Sequence, residues 1–316
     1  MPEGAAEEAG GVLPPAPGRA LLIRNPIARH RLSNAQVSAM AAIALEAGWR
    51  LEHITTERAG DATGLARDAA ARGYAAVIVH GGDGTVNEAV NGLADTQTAL
   101  AVTRGGTANV WAKETRVPKD PVQAMQGIVR GERRRIDLGR ANGRYFLLMA
   151  GVGLDARIVD NVGVRMKRRL GAASYMMAGA WTLMTTKPWR VRMIADGTPL
   201  ETPLFWLLAG NTRSYGGVIE LTHQAVVTDG RLDVALMRRG NALRLLRDGV
   251  LALLHRHERS PNVRYVFARE LVIETEGVPV QLDGEACGET PVRISCVPAA
   301  LTVITRRGLR SPLFGG

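Results

Sequence analysis

The sequence predicts an α/β unit with a mainly parallel sheet, followed by a β-rich, sandwich-like unit. From residue 19 to about residue 130, short apolar runs alternate with segments of helical periodicity. That alternation is typical of parallel strands connected by helices. From about residue 134 onward, strand and turn signals dominate instead, beginning with Asn142-Gly143, which favours a β-hairpin. With 316 residues, the chain is long enough for two such domains.

The first unit is expected to contain four strands, each followed by a helix, and one more helix at its end. The predicted strands cover residues 19–23, 49–55, 75–79 and 99–103, and the predicted helices begin near residues 34, 61, 85, 108 and 121. Ligands of such folds bind beyond the carboxyl ends of the strands. Four loops fall there and are expected to converge, namely Asn25-Pro26, Thr56, Gly82 to Glu88, and Thr107.

The central feature is the stretch from Val77 to Glu88, which reads as a buried strand, a glycine-rich turn and the start of a helix. Glycines allow the backbone to approach a ligand closely, and a helix N-terminus favours phosphate. The carboxylate of Asp83 would repel a bare phosphate, so it fits better if Mg²⁺ lies between them. The alternative is a ligand-free loop with an Asp-Gly turn.

The second unit is expected to consist of hairpins interrupted by two helices. The turn signals are Asn142-Gly143, Asp196-Gly197 and Asp229-Gly230, and the helical segments cover about 170–185 and 242–256. We expect a disordered tail over 1–17, a first domain over 18–133 and a second over 134–300. The segment 301–316 contains a last strand that could pair within either domain.

Composition restricts the partners. The net charge is +10 and arises almost entirely from arginine, which favours phosphorylated substrates or an anionic membrane surface, although it is also explained by genome base composition. Few aromatics and no RNA- or DNA-binding motif argue against nucleic acid. Cys287 and Cys296 form no metal motif, and a reduced cytoplasmic compartment is simpler than one disulfide. No signal peptide or membrane span is predicted, and a homodimer is left open.

Six short motifs in a fixed order resemble the diacylglycerol kinase catalytic-domain family, which also includes sphingosine and ceramide kinase relatives. The resemblance covers about residues 19–306 and rests on Asn25-Pro26, Thr55-Thr56-Glu57 with Gly60-Asp61-Ala62, Gly81 to Glu88, Gly106 to Asn109, Asp229 to Asp233, and Leu282 to Glu285. It implies a two-domain plan like that of NAD kinase and diacylglycerol kinase. It also implies ATP as co-substrate, Mg²⁺ as cofactor, and a lipid hydroxyl as acceptor.

The resemblance assigns roles to individual residues. Glu285 would be the general base, Asp283 would support it, and Asp83 would help to organise Mg²⁺. A structural Mg²⁺ would be held by the Asp229 carboxylate and the carbonyls of Leu232 and Val234. The residues implied for ATP binding are Asn25, Pro26, Ile27, Ala28, Arg29, Thr56, Gly82, Asp83, Gly84, Thr85, Val86, Asn87, Glu88 and Thr107.

The expected function is therefore an ATP-dependent lipid kinase acting on diacylglycerol, a sphingoid base or ceramide. NAD kinase is the first alternative, although its typical Thr-Gly-Ser-Thr-Ala-Tyr segment is missing here, and a catalytically silent lipid- or nucleotide-binding regulator is the second. The basic cluster Arg165 to Leu170, beside the apolar stretch Ala172 to Met184, favours peripheral contact with the inner face of the membrane. One departure from the family pattern is Val110, where many members have Asp.

Overall fold

The computed structural model describes residues 18–161, 187–238, 260 and 262–315. Its residues group into two compact units. The first unit comprises the chain up to Thr107, Thr115–Ile136 and Ala299–Arg310, and the second comprises Ala108–Glu114, Asp137–Pro298 and Ser311–Gly316.

The first unit is an α/β layer with a parallel sheet. Its elements are β1 (Arg19–Arg24), α1 (Asn34–Glu46), β2 (Arg50–Thr55), α2 (Asp61–Ala71), β3 (Ala76–Gly81), α3 (Asp83–Leu93), β4 (Ala99–Arg104) and α5 (Pro121–Val129). The strand order is β2-β1-β3-β4, all parallel. A late strand, β18 (Val292–Thr305), pairs with β4 in parallel through Val303 and Leu100. β3 is buried at every position, and its first four residues, Ala76 to Val79, form the apolar run expected of a central parallel strand.

Local capping explains where the helices of this layer start. Ser33 and Gln36 form a capping box at α1. Asp120 caps α5, where Pro121 occupies the first turn. At α2 the N-cap position is occupied by Gly60. The Asp61 carboxylate accepts backbone N–H groups from the loop that precedes the helix, so Asp61 stabilises the loop rather than the helix end.

The second unit is a β sandwich. The short helix α4 (Val110–Glu114) precedes β5 (Glu132–Ala141), β6 (Arg144–Phe146), β7 (Met149–Gly153), α6 (Leu154–Asn161), β8 (Trp189–Ala195), β9 (Thr198–Leu204), β10 (Trp206–Gly210), β11 (Ser214–Tyr215), β12 (Ile219–Glu220), β13 (Leu232–Met237), β14 (Val263–Ala268), β15 (Glu270–Ile273), β16 (Pro279–Leu282) and β17 (Glu285–Glu289). One sheet has the order β14-β13-β10-β7-β16-β17, and β9, β8 and β15 lead to β18 in the other. A continuous apolar core takes residues from both sheets.

Tight turns form at Asn142-Gly143 and Asp196-Gly197, where the sequence carries turn signals, and also at Asp283-Gly284. At Asp229-Gly230, the remaining turn signal, only the glycine has positive φ. Asn142, Asp196 and Asp283 have φ values of 47°, 45° and 50°, and each is followed by a glycine that also has positive φ. Asn and Asp tolerate this region better than other non-glycine residues. The two-layer prediction, a mainly parallel α/β unit followed by a β sandwich, is confirmed.

Some predictions lie outside the described residues. These are the tail over 1–17, the helical segments near 170–185 and 242–256, the basic cluster from Arg165 to Leu170 and the apolar stretch from Ala172 to Met184. Among the helices that the structure describes, none is long and apolar enough to cross a membrane.

Candidate active site

The glycine turn between β3 and α3 lies against the turn that follows β4. The N–H of Gly105 donates to the carbonyl of Gly81 over 3.1 Å. A Cβ on Gly105 would lie 2.9 Å from the Gly81 nitrogen, and one on Gly82 would lie 3.6 Å from Cα of Gly106. The two backbones therefore approach each other with no room for a side chain at Gly105. The helix that begins at Asp83 adds first-turn N–H groups that its own ladder does not use.

The loop after β1 is fastened to this turn. The Asn25 side-chain amide donates to the Thr85 hydroxyl over 2.9 Å, and the Asn25 backbone N–H donates to the His80 carbonyl over 3.0 Å. Thr56, which is buried, donates its backbone N–H to the Arg24 carbonyl over 2.9 Å. The loops that follow three neighbouring parallel strands are thus joined at one edge of the sheet, as the sequence predicts.

His80 is a residue of this region that the sequence reasoning missed. Its Nε2 lies 2.6 Å from the His30 carbonyl and its Nδ1 lies 2.8 Å from the Thr103 hydroxyl. Burial lowers the pKa of the His80 imidazole, so the ring is neutral and can donate through Nε2 while Nδ1 accepts. His80 therefore connects β3, β4 and the loop after β1. Its position directly before Gly81 is the only signal in the sequence.

Two neighbouring residues of the predicted ATP set have different surroundings. Asn87 is 2% exposed, and its Nδ2 is a buried donor without a hydrogen-bond partner. Such a donor is costly unless a ligand accepts from it, so Asn87 fits a site for a polar, anionic ligand. Glu88 instead accepts the Ala62 N–H and, through its carbonyl, the Thr63 hydroxyl, which ties α3 to α2.

The other residues implied for ATP binding lie on the same loops. Asn25 Oδ1 accepts the Ile27 N–H, which shapes an Asx turn through Pro26. Arg29 and Thr107 are exposed, whereas Ala28, Thr85 and Val86 are buried.

In the second unit, the turn between β16 and β17 carries the predicted catalytic pair. Both oxygens of Asp283 accept backbone N–H groups at the start of β7: Oδ2 accepts from Leu147 over 2.9 Å, and Oδ1 accepts from Leu148 and Met149 over 3.0 and 2.9 Å. The Asp283 N–H in turn donates to the Met149 carbonyl over 3.0 Å. A carboxylate held by three N–H groups is rigid. Asp283 therefore anchors the turn.

A buried side-chain network, which no sequence motif indicates, holds the same turn from the other side. The Gln281 amide oxygen accepts the Gly284 N–H over 2.7 Å, and the Gln281 amide nitrogen donates to Asp155. The Tyr215 hydroxyl donates to the second oxygen of Asp155. Burial raises the pKa of the Asp155 carboxyl, while these two hydrogen bonds oppose the rise. A Cβ on Gly151 would collide with both Asp155 and Gln281, so the network requires glycine there.

Glu285, the predicted base, lies at the start of β17, and its carboxylate forms an ion pair with Arg144. Its side chain is 45% exposed. The predicted base is thus accessible and is oriented by a cation on β6, a partner that sequence reasoning did not name. Asp283 and Glu285 belong to the second unit, whereas Asp83 belongs to the first.

The predicted metal segment from Asp229 to Val234 forms a turn leading into a central strand. Asp229 Oδ1 accepts the Arg231 N–H over 3.0 Å, and the Gly230 N–H donates to Asp137 over 2.7 Å. Val234 is paired on both sides, to β10 and β14, so its carbonyl lies within the sheet. Within residues 18–161, 187–238 and 262–315, no group of three or more His, Cys, Asp or Glu could hold a metal ion. The predicted site differs from such a cluster because it uses one carboxylate and two backbone carbonyls, and the assignment stays a prediction.

Two other features of the second unit are relevant to its chemistry. An apolar cavity of about 420 Å³ lies between the two sheets, lined by residues such as Leu200, Leu236 and Phe267. At the end of α4, Glu114 accepts the N–H groups of Arg213 and Ser214 over 3.3 and 2.7 Å. Burial raises the pKa of Glu114 to about 7, although the hydrogen bonds oppose the rise.

The departure at Val110 has a structural reason. Val110 and Trp111 are 3% exposed, and the Trp111 ring meets Phe314 edge-on at a centroid distance of 6.4 Å. An aspartate at Val110 would bury a charge, which is unfavourable without a partner. The first turn of α4 in this chain therefore supports packing.

Comparison with known proteins agrees with this architecture. Residues 19–141 match the diacylglycerol kinase catalytic domain, and residues 149–305 match the YegS C-terminal NAD kinase beta sandwich-like domain. A diacylglycerol kinase of Bacillus subtilis is 31% identical over 277 residues, covering 86% of this chain and 91% of the relative. A diacylglycerol kinase of Mycobacterium tuberculosis is 32% identical over 297 residues, with coverages of 92% and 96%.

A solved structure is similar as well. The crystal structure of a diacylglycerol kinase from Bacillus anthracis matches with a TM-score of 0.75 at 27% identity, covering 91% of this chain and 96% of that one. The two units are thus those of a two-domain kinase with an α/β layer and a β sandwich. The chain belongs to the diacylglycerol kinase catalytic-domain family.

Proposed function

We propose that the protein is an ATP-dependent lipid kinase that transfers the γ-phosphoryl group to a lipid hydroxyl, on diacylglycerol or on a related alcohol such as a sphingoid base or ceramide. The observation that carries the proposal is the close backbone contact of Gly81 with Gly105 beneath the first turn of α3. It provides a side-chain-free approach for phosphates at a helix N-terminus. Membership of the family supports ATP and a lipid as the two substrates.

In the first unit, binding would depend on the backbone and on neutral side chains. The Asn25–Thr85 hydrogen bond fixes the loop beside the glycine turn, and the unpartnered Nδ2 of Asn87 would donate to the nucleotide or to groups around it. Phosphoryl transfer depends mainly on positioning and on charge neutralisation. Mg²⁺, oriented by Asp83, would supply that neutralisation.

In the second unit, Glu285 would act as the general base. Its carboxylate would take the proton of the lipid hydroxyl while that oxygen bonds to the γ-phosphorus, and the bond from the γ-phosphorus to the bridging oxygen of ADP would break. Arg144 would orient Glu285, and the anchored Asp283 would keep the turn in place. The products are a lipid phosphate monoester and ADP.

An apolar acceptor is favoured by the sandwich itself. The cavity of about 420 Å³ is lined mainly by aliphatic side chains and is large enough for part of an acyl chain. It involves β13 and β14, whereas Glu285 lies at the other edge of that sheet, on β17. The net charge of +10 would favour peripheral binding to an anionic membrane at its cytoplasmic face.

The deciding experiment measures phosphate transfer from γ-labelled ATP in mixed micelles with and without Mg²⁺. The acceptors are diacylglycerol, sphingosine, ceramide and monoacylglycerol, with NAD as a further acceptor. We expect Mg²⁺-dependent labelling of one lipid and none of NAD. Labelled NAD would instead support a NAD kinase. Binding of ATP with no product on any acceptor would support a catalytically silent regulator.

A further inference from the structure

The first unit contains a second cavity, of about 770 Å³, that the proposed reaction does not use. It is formed by the loop after α4, by α5, and by the end of β18 with the two residues that follow it. None of Asn25, Gly82, Thr85 and Asn87 lines it. Its volume lies within the range of pockets that bind small organic ligands.

The lining of this cavity is strongly basic. Arg116, Arg130, Arg306 and Arg307 contribute to it from three separate segments of the chain, and no Asp or Glu lines it. All four arginines are exposed, and none forms an ion pair within the part of the chain that the structure describes. Guanidinium groups bind phosphate oxygens through paired N–H donors. Four such groups around one cavity therefore favour an anion with several oxygens.

A further observation points to a ligand. Thr305 lines the cavity and is 4% exposed, and its hydroxyl has no hydrogen-bond partner. A buried hydroxyl of this kind is costly unless something binds it. Glu132, two residues after Arg130, does not neutralise that arginine because it is already engaged by Arg134 and by the Gly308 N–H.

The lining also contains the polar residues Thr115, Gln123 and Gln126, and a group of aliphatic side chains that includes Val102, Val117, Ile128 and Ile304. A fully solvated inorganic ion would make no use of these side chains. We propose that this cavity is an accessory binding site for a phosphate monoester attached to an apolar group. The phosphate would contact the arginines and the apolar group would contact the aliphatic lining. The proposal does not depend on the kinase activity.

Calorimetric titration of the full chain tests the site with three probes: inorganic phosphate, phenyl phosphate, and dihexanoyl phosphatidic acid below its micelle concentration. Saturating ATP is present throughout so that the glycine-loop site is not titrated. We expect both organic phosphates to bind at one site per chain and inorganic phosphate to bind at least tenfold more weakly. Tight binding of phosphatidic acid alone would identify a lipid headgroup, and equal binding of all three probes would overturn the role of the apolar lining.

Variants locate the binding. Arg130→Gln combined with Arg307→Gln should weaken binding at least tenfold. Gly127→Leu should do the same by filling the cavity, because Gly127 lines it and a Cβ there meets nothing within 4 Å. Gly127 lies inside α5, where replacing glycine favours the helix. Arg67→Gln, at an exposed position on α2, is the matched control.

Unchanged binding in both cavity variants would overturn the proposal, as would an equal loss in Arg67→Gln. The proposal would also be overturned if neither phenyl phosphate nor dihexanoyl phosphatidic acid bound saturably to the unmodified chain. Thermal unfolding of each variant verifies the fold, and the kinase assay on lipid alcohols remains a separate readout.

Discussion

The two units organise their candidate sites in opposite ways. The glycine-loop region of the first unit is built from backbone contacts and neutral side chains, such as Gly105 against Gly81 and Asn25 against Thr85. The β16–β17 turn of the second unit is built from carboxylates, with Asp283 on three N–H groups and Glu285 on Arg144. The first region suits an anion that is recognised by dipoles. The second suits proton transfer.

The two regions should differ in the substitutions that they tolerate. In the first region, close backbone approach excludes any side chain at Gly105, so an added methyl group should be harmful. In the second region, the backbone geometry is common to many hairpins. The effect of a substitution there should therefore depend on the chemistry of the side chain that is replaced. Four variants test this contrast, in order of decreasing expected effect.

The largest effect is expected for Glu285→Gln. The substitution keeps size and shape but removes the proton acceptor, so lipid phosphorylation should fall about 10³-fold, the range typical of a general base. Steady-state turnover in mixed micelles measures it. Glu289→Gln is the control, since Glu289 is exposed on the same strand. A rate within a factor of three of the unmodified protein would remove Glu285 from the base role.

The next effect is expected for Asp283→Asn. Asparagine tolerates the left-handed φ of 50°, so only the charge and one acceptor atom are lost. The NH₂ group of the asparagine would face backbone N–H donors that a carboxylate oxygen now accepts. The variant should therefore lose about 3 kcal/mol of unfolding free energy. Urea unfolding measures the loss. If stability were unchanged while the lipid kinase rate fell, Asp283 would act in the chemistry rather than as an anchor.

Glu114 sharpens the contrast between two carboxylates that both accept backbone N–H groups. The pKa of Glu114 is raised to about 7 by burial, so its contribution to stability is fully present below its unfolded pKa and is lost as pH rises towards 7. The unfolding free energy should decrease by up to roughly 3 kcal/mol across that window. Urea unfolding from pH 4.5 to 7.5 measures it against Glu114→Gln, whose profile should lack this component. Parallel profiles would exclude Glu114 as the source.

The smallest effect is expected for Gly105→Ala. The added Cβ would lie 2.9 Å from the Gly81 nitrogen, so the two loops should separate slightly, at a cost of about 2 kcal/mol in unfolding free energy. ATP binding, measured by calorimetry, should weaken roughly tenfold. Gly64→Ala in α2 is the control because a Cβ there meets nothing within 4 Å. Unaltered ATP affinity in Gly105→Ala would contradict the backbone model of the first region.

Much of this architecture follows from local sequence signals. The alternation of strand and helix, the glycine turn before Asp83 and the turns at Asn142 and Asp196 are confirmed. These features depend on side-chain periodicity and on φ preferences within a few residues, which the sequence displays directly. The family resemblance added the expected roles of Glu285 and Asp283, which remain predictions.

Other features depend on contacts between distant segments. Pairing of β16 with β7 brings Asp283 to residues 147–149 and brings Gln281 close to Asp155. The parallel pairing of β18 with β4 brings Thr305 into the unit that contains Arg116 and Arg130. Burial raises the pKa of Glu114 against the opposing effect of its hydrogen bonds. The sequence by itself determined the elements, their turns and the family. Only the tertiary structure decided which polar groups share a buried environment, because strand order and burial depend on the packing of the whole chain.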